Sequence, residues 1–306
     1  ERRACRVVGQ HRSTQRYRAI IPDEEIRLVR AMNRLALAHP RWGYRSICRL
    51  LRNDGWVVNP KRIERLWRLE GHRLPPTRRQ ASGKRAQGTG DNSSRNRPAL
   101  AANHIWSYDF VSARIRRGGP IRILNVVDEF TRVSLGSRVS RSIGARAVVE
   151  HLTNLFERHG RPSAIRSDNG REVIAGSVVD WLAENGVEAV FIEKASPQQN
   201  PYVERFNGTM RRDLLNVEEF GTLTEARVLV DAWNEEYNTE RPHRGLGMMT
   251  PLAFALSPVP PHGWESSIRS LYLSVATAGN GLYCYKAYAS TTRLARLAIT
   301  SRLFCS

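Results

Sequence analysis

Three stretches near the start of the chain repeat apolar side chains at helical spacing. Ile26, Val29, Met32, Leu35 and Ala36 make one stripe, which predicts a helix from a cap at Asp23 towards Pro40. Ile47, Leu50 and Leu51 make a second, over about Arg45 to Asp54. Ile63, Leu66 and Trp67 make a third, with Asn59 as cap, Pro60 in the first helical position and Gly71 just past the end. Residues 75–100 lack any apolar period and are rich in Pro, Gly, Ser and Arg, which predicts a linker. From His104 the pattern changes. "HIWSYDFVSARI" and "RILNVVDEFTRVSLGSRVS" predict consecutive strands broken by "RRGGP" and polar turns. A helix follows from Ala145 to His159, with Val148, Val149, Leu152, Leu155 and Phe156 in its stripe. "SAIRSDNG" reads as a short strand ending in a turn, "SVVDWLAENG" as a helix closed by Gly186, and "VEAVFIE" as a buried strand. Helices are expected from Pro201 and from about Thr224 to Tyr237. Antiparallel strands followed by alternating helices and strands indicate an α/β layer fold of about 140 residues.

The charge is unevenly spread. The formal net charge is +19, and residues 1–100 hold 24 Lys and Arg against 8 Asp and Glu, while residues 101–306 hold 24 against 21. A basic front end on a nearly neutral body suits a polyanion, and nucleic acid fits better than a membrane because no amphipathic lipid-binding helix accompanies the charge. On the third helix Lys61, Arg65 and Arg68 share a face, with Arg62 nearby, as a helix-turn-helix reader of DNA requires. The plainer reading is a solvated helix in a small bundle. Four scattered cysteines without a C-x-x-C pair argue against a disulfide framework or a Cys zinc site and for a reducing cytosol. No apolar run reaches membrane-spanning length. The chain opens at Glu1 without a methionine, which suggests a processed, truncated or frameshift-joined product.

Candidate chemistry rests on acids. Asp109 lies within an apolar strand, Asp168 where a short strand meets Asn169 and Gly170, and Glu204 in the first turns of the helix that opens at Pro201. Spacings of three and seven place Glu204, Asn207 and Arg211 on one face of that helix, with Val203, Phe206 and Met210 on another. A carboxylate in an apolar strand is costly unless compensated, and a divalent cation compensates several at once. Taken singly, each acid reads equally well as a cap, a turn residue or surface charge.

From Trp106 to about Pro251 the chain resembles the integrase core shared by retroviral integrases and bacterial insertion-sequence transposases. The resemblance is carried by "WSYDFV", "VVDEFTR", "RSDNGREV", "SPQQNPYVERFNGTMRRDLL" and "WNEEYNTERPHRGLGMMTP". Thirty-five residues separate Asp168 from Glu204, the gap typical of the family. "HPRWGYRSICRLLRNDGWVVNPKRIERLWRLEG" resembles the helix-turn-helix that precedes this core in OrfB-type transposases of insertion sequence family three. The resemblance implies an RNase H-like integrase core, a mixed five-stranded sheet flanked by helices, preceded by an all-α helix-turn-helix domain. The organisation expected is 1–74 helical and DNA-binding, 75–100 linker, 101–256 catalytic core and 257–306 an unassigned tail. By motif position it implies that Asp109, Asp168 and Glu204 are the catalytic acids and bind two Mg²⁺ or Mn²⁺ ions. Asn207 and Arg211 would then contact DNA beside Lys61, Arg62, Arg65 and Arg68.

The implied activity is metal-dependent cleavage and strand transfer at element ends, without a covalent protein intermediate or a nucleoside triphosphate. Implied partners are double-stranded DNA (the terminal inverted repeats and the target), further copies of the chain on paired ends, and the product of a partner reading frame. The implied location is the bacterial cytoplasm, at the nucleoid. Departures are the unmatched ligand spacing of His11, His39 and Cys48, which argues against zinc, and Pro201 where the family has a small residue. The tail holds one acid, Glu265, and reads as a frameshifted or read-through end, the alternative being a genuine small C-terminal module. Asp128 and Glu129 are expected to make local hydrogen bonds. The rival readings are a catalytically silent DNA-binding repressor and an RNase H-like nuclease that cuts without joining.

Overall fold

The computed structural model describes residues 1–17, 22–74, 94, 96–168, 176–192 and 200–257, divided between two compact units, Glu1–Thr77 and Arg78–Ser306. The expected linker lies almost wholly outside the described residues, and so does the tail from residue 258 onward.

The first unit is helical: α1 (Arg2–Val7), α2 (Arg12–Arg16), α3 (Asp23–Ala38), α4 (Tyr44–Asn53) and α5 (Pro60–Leu69). The helix expected to be capped by Asp23 starts one residue earlier. Pro22 occupies the cap, and Asp23, Glu24 and Glu25 fill the first turn, where acids meet the positive end of the helix dipole. At α5 the Asn59 side chain accepts the Lys61 N–H at 2.9 Å, as its position before Pro60 suggested. Gly71, at φ +75°, lets the chain turn back, with the His72 N–H reaching the Trp67 carbonyl at 3.1 Å. The stripes of α3, α4 and α5 meet in one core of Leu28, Met32, Ile47, Leu51, Ile63 and Trp67.

The second unit holds five strands: β1 (Ile105–Ile115), β2 (Gly119–Asp128), β3 (Ser134–Ser140), β4 (Ala164–Ser167) and β5 (Glu188–Phe191). Their order is β3-β2-β1-β4-β5. β1 runs antiparallel to β2, and β2 to β3, while β1–β4 and β4–β5 are parallel. The mixed sheet follows from the connections. A short turn with Gly119 at φ +82° joins β1 to β2, whereas α6 (Ala145–His159) carries the chain across to β4, and α7 (Gly176–Glu184) lies between β4 and β5. Alternation gives the sheet two apolar faces. Trp106, Tyr108, Leu124 and Val126 pack with Leu152, Phe156 and Leu182 of α6 and α7. Val111, Ile121, Ile123 and Val127 pack on the other side with α8 (Pro201–Met210) and α9 (Leu223–Thr239). α9 opens with a capping box between Thr222 and Glu225, and α10 (Pro251–Ala255) closes the described fold. A five-residue π-helical turn, Arg211–Leu215, continues α8, which apolar periodicity did not foretell.

Candidate active site

β1 is the middle strand, so the side chains at its centre are enclosed on both sides. Residues 107, 109 and 111 share a face, and Val111 packs in the α8–α9 core, so Asp109 points towards α8. β4 runs parallel to β1 with Ser107 opposite Arg166, and two residues further along both chains stand Asp109 and Asp168. Asp109 lies within β1, whereas Asp168 is the exposed residue just past the end of β4, near enough for its charge to be felt at Asp109. Glu204 lies in the first turn of α8, whose Val203, Phe206 and Met210 seat the helix on the face of Asp109. Pro201 fits the first position of the helix, where no backbone donor is lost.

The electrostatics link the three acids through Asp109. Burial pushes the Asp109 carboxyl above its ordinary range, and the negative charge of Asp168 adds to the push. The Phe110 N–H at 2.7 Å and the Asn207 amide at 2.9 Å oppose it. Glu204 is pushed up to about 7, first by burial and then by the charge of Asp109. The donor set is all carboxylate oxygen, which suits a hard divalent cation such as Mg²⁺ or Mn²⁺. The acids adjoin one another in series through Asp109 rather than as a closed cage. Among the described residues, no three His, Cys, Asp or Glu side chains form a cluster ready to hold an ion.

Asn207 sits differently from its expected place on a DNA-facing surface. It is buried, and both ends of its amide are used inside the protein: Nδ2 donates to Asp109 Oδ2 at 2.9 Å, and Oδ1 accepts from Asn125 Nδ2 at 2.6 Å. Helical spacing placed it beside Glu204 but could not reveal that β2 presents a polar partner there. Asn125 was missed altogether. Its one signal was an amide inside the apolar run "ILNVV". Arg211, by contrast, is exposed at the start of the π-helical turn.

Two buried networks frame the acids. Glu129 accepts from the Ser107 hydroxyl and pairs with the Arg166 guanidinium, with both charged side chains fully removed from solvent. Arg166 Nη2 also donates to the Arg97 carbonyl at 2.7 Å. The Asp128 carboxylate accepts the backbone N–H groups of Asn103, Phe130 and Thr131 at 2.7, 2.9 and 2.8 Å, which closes the turn between β2 and β3. Both acids thus do structural work beside the site. Asn169 and Gly170 lie outside the described residues.

On the first unit, Lys61, Arg65 and Arg68 are exposed along α5, and Arg62 is half-buried. Arg62 and Arg65 pair with Glu25 of α3 at 3.1 and 3.3 Å, and Arg68 pairs with Glu64 at 2.7 Å. Any polyanion must compete with these carboxylates. His11 caps α2 by accepting the Ser13 N–H, His39 stacks on Trp42 at 4.0 Å, and Cys48 is buried in the core.

The chain matches the HTH-like domain family over residues 22–80 and the integrase core domain over residues 99–197 and, in a second form, 185–251. It is 37% identical over 259 residues to the insertion element IS407 uncharacterized 31.7 kDa protein of Burkholderia multivorans, covering 83% of this chain and 90% of that protein. It is 35% identical over 259 residues to the insertion element IS476 uncharacterized 39.2 kDa protein of Xanthomonas euvesicatoria, covering 83% and 72%. It is 27% identical over 225 residues to the transposase for insertion sequence element IS904 of Lactococcus lactis, covering 70% and 87%. Among solved structures, the HTLV-2 integrase catalytic core domain in complex with magnesium is 16% identical, with a TM-score of 0.42, covering 51% of this chain and 98% of that one. The fold and site define a class, an integrase core with a five-stranded mixed sheet and a helix-turn-helix-like region ahead of it. Within that class the chain belongs to the bacterial insertion-sequence transposases, of the architecture of insertion sequence family three. It is accordingly a DNA-binding protein of the polynucleotidyl transferase kind. Among the described residues no helix is long and apolar enough to cross a membrane.

Proposed function

We propose that this chain cleaves the ends of its element and joins them to target DNA at one site built from Asp109, Asp168 and Glu204, the acids of a DDE-type transposase. The observation that supports it most is that β4, which ends just before Asp168, pairs with β1 and α8 packs on β1, so that the charge of Asp168 acts on Asp109 and that of Asp109 on Glu204. These acids would hold two Mg²⁺ or Mn²⁺ ions, since their donors are hard oxygens, and the partial burial of Asp109 and Glu204 makes their ionised forms costly without a counter-ion. Bound ions would activate the attacking oxygen and stabilise the leaving one in an in-line displacement. The chain's own contribution is placement. Asn207 holds the Asp109 carboxylate, α8 presents Glu204 from a rigid helix, and the exposed Arg211 offers a guanidinium to DNA phosphate on the Glu204 side.

In this reading residues 1–74 bind the terminal inverted repeats through Lys61, Arg62, Arg65 and Arg68, residues 75–100 are a linker, and residues 101–256 catalyse. Copies of the chain associate on paired ends, together with a partner reading-frame product, at the nucleoid in the cytoplasm. The test is a joining assay with element-end oligonucleotides, target DNA and Mg²⁺. Asp109→Asn, Asp168→Asn and Glu204→Gln should each abolish joining and spare binding. Cutting without joining would replace the reading with a nuclease, and binding without chemistry would replace it with a repressor.

A further inference from the structure

A line of polar side chains runs from Asp109 across the α8 face of the sheet to α9. Asn207 Nδ2 donates to Asp109 Oδ2 at 2.9 Å, and Asn125 Nδ2 donates to Asn207 Oδ1 at 2.6 Å. The Ser137 hydroxyl donates to Asn125 Oδ1 at 2.5 Å, and Asn234 Nδ2 donates to the Ser137 oxygen at 2.9 Å. The Ser134 hydroxyl donates to Asn234 Oδ1 at 3.0 Å. Five links join four elements, α8, β2, β3 and α9, to one carboxylate oxygen.

The sense of every link follows from chemistry. An ionised carboxylate only accepts, so Asn207 must turn its NH₂ to Asp109 and its carbonyl to Asn125. Asn125 must then donate, which turns its own carbonyl to Ser137 and commits that hydroxyl's hydrogen. The Ser137 oxygen is left to accept from Asn234, whose carbonyl in turn needs the Ser134 hydrogen. A flipped Asn207 would set donor against donor at Asn125 and acceptor against acceptor at Asp109. All donors therefore point towards Asp109, and such aligned chains polarise one another. Asn125, Asn207, Ser134 and Asn234 are all buried, so each group needs its place in the line to be satisfied. Asn238, one turn further along α9, makes a contrast. It bonds the Ser134 backbone, N–H and carbonyl both at 2.8 Å, and these bonds tie helix to strand through the backbone rather than through the side chains that form the line.

We propose that Ser134, Ser137 and Asn234 are positioning residues, which act through Asn125 and Asn207 to fix the rotamer and oxygen placement of Asp109. This rests on the reading of Asp109 as part of the acid site, and the experiment separates the two. Full-length protein without DNA is titrated with Mn²⁺, following tryptophan fluorescence, and the joining assay gives kcat and KM for the element end. Asp109→Asn sets the baseline for loss of the site. Ser137→Ala should raise the Mn²⁺ midpoint and lower kcat, each by about tenfold, the scale seen when partners of metal-ligating side chains are removed. KM should stay unchanged, Ser137→Thr should restore both values, and Asn238→Ala should leave both alone while lowering stability. Should Ser137→Ala fail to fold, Asn234→Ala carries the same expectation. A parental midpoint and kcat in a folded relay variant would overturn the proposal. Absence of any Asp109-dependent Mn²⁺ response in the unaltered protein would overturn the acid-site reading and the relay with it.

Discussion

The Glu129–Arg166 pair gives the most demanding prediction about what holds the site together. Both side chains have 0% exposure, and the carboxylate is shared between the guanidinium and the Ser107 hydroxyl. Replacing Arg166 with Met takes the paired guanidinium from a buried carboxylate, and replacing Glu129 with Leu takes the paired carboxylate from a buried guanidinium that also donates to the Arg97 carbonyl. Breaking such a pair from one side costs about 3–5 kcal/mol, because the other charge stays desolvated. For a unit of this size, roughly 2–4 °C of melting temperature is lost per kcal/mol, so each single variant should melt roughly 6–20 °C lower. The double variant Glu129→Leu/Arg166→Met removes both charges together. It leaves the Ser107 hydroxyl without its acceptor and the Arg97 carbonyl without its donor, at about 1 kcal/mol each. Apolar packing offsets part of that, so the double should lie within about 2 kcal/mol of the parent. Urea unfolding followed by tryptophan fluorescence on all four proteins yields the coupling energy, expected at about 3 kcal/mol or more. Two single variants costing under about 1 kcal/mol each, with an additive double, would refute the account.

One buried histidine, His159, and two half-buried ones, His151 and His243, make the fold sensitive to acid. Burial, first among the causes, holds His151 and His159 down at about 4 and His243 at about 3, with nearby arginines adding to the effect. In the unfolded chain these groups titrate near 6.5, so between pH 6.5 and about 4 the unfolded state binds more protons and stability falls as pH falls. The urea midpoint should be flat above pH 7 and drop steadily towards pH 4, less steeply in His151→Gln; a midpoint unchanged from pH 7 to 4.5 would contradict this. Phe206 is buried edge-on against Trp233 and Tyr237, at 5.2 and 4.7 Å, where it seats α8. Phe206→Ala should cost about 3–5 kcal/mol in the same unfolding assay, and a loss below about 2 would mean that α8 is held by something else. On α5, Arg65→Gln should weaken DNA binding evenly across sequences and lower the salt slope by about one. Glu25→Gln, which frees Arg65 and leaves Arg62 paired with Glu24 alone at 3.4 Å, should strengthen binding, and no change in either variant would place DNA elsewhere.

Much of the fold was legible because its local signals agree with one another. Asn59-Pro60 and Gly71 bracket α5 for reasons internal to the backbone, and the stripe of α6 follows from a period of 3.6 residues, whereas α3 keeps Met32 and Ala36 of its expected stripe but buries Leu28 and Ala31 and leaves Ile26 exposed. The three acids could be picked out by the cost of a carboxylate in an apolar strand together with the ordered motifs around Asp168 and Glu204. Boundaries slipped where two residues competed for one role, as at Pro22 and Asp23.

What lay beyond the sequence was every relation between elements. That Asp168, just past β4, comes near enough to Asp109 for its charge to be felt there depends on a parallel pairing of β4 with β1 that neither strand contains alone. That Glu129 meets Arg166, and that Asn207 turns inward to Asp109 and Asn125, depends on which buried polar groups the packed sheet and helices bring within hydrogen-bonding reach. Periodicity records which side of an element avoids water. It carries no record of which polar group on another element will be there to satisfy an amide, and packing alone makes that choice.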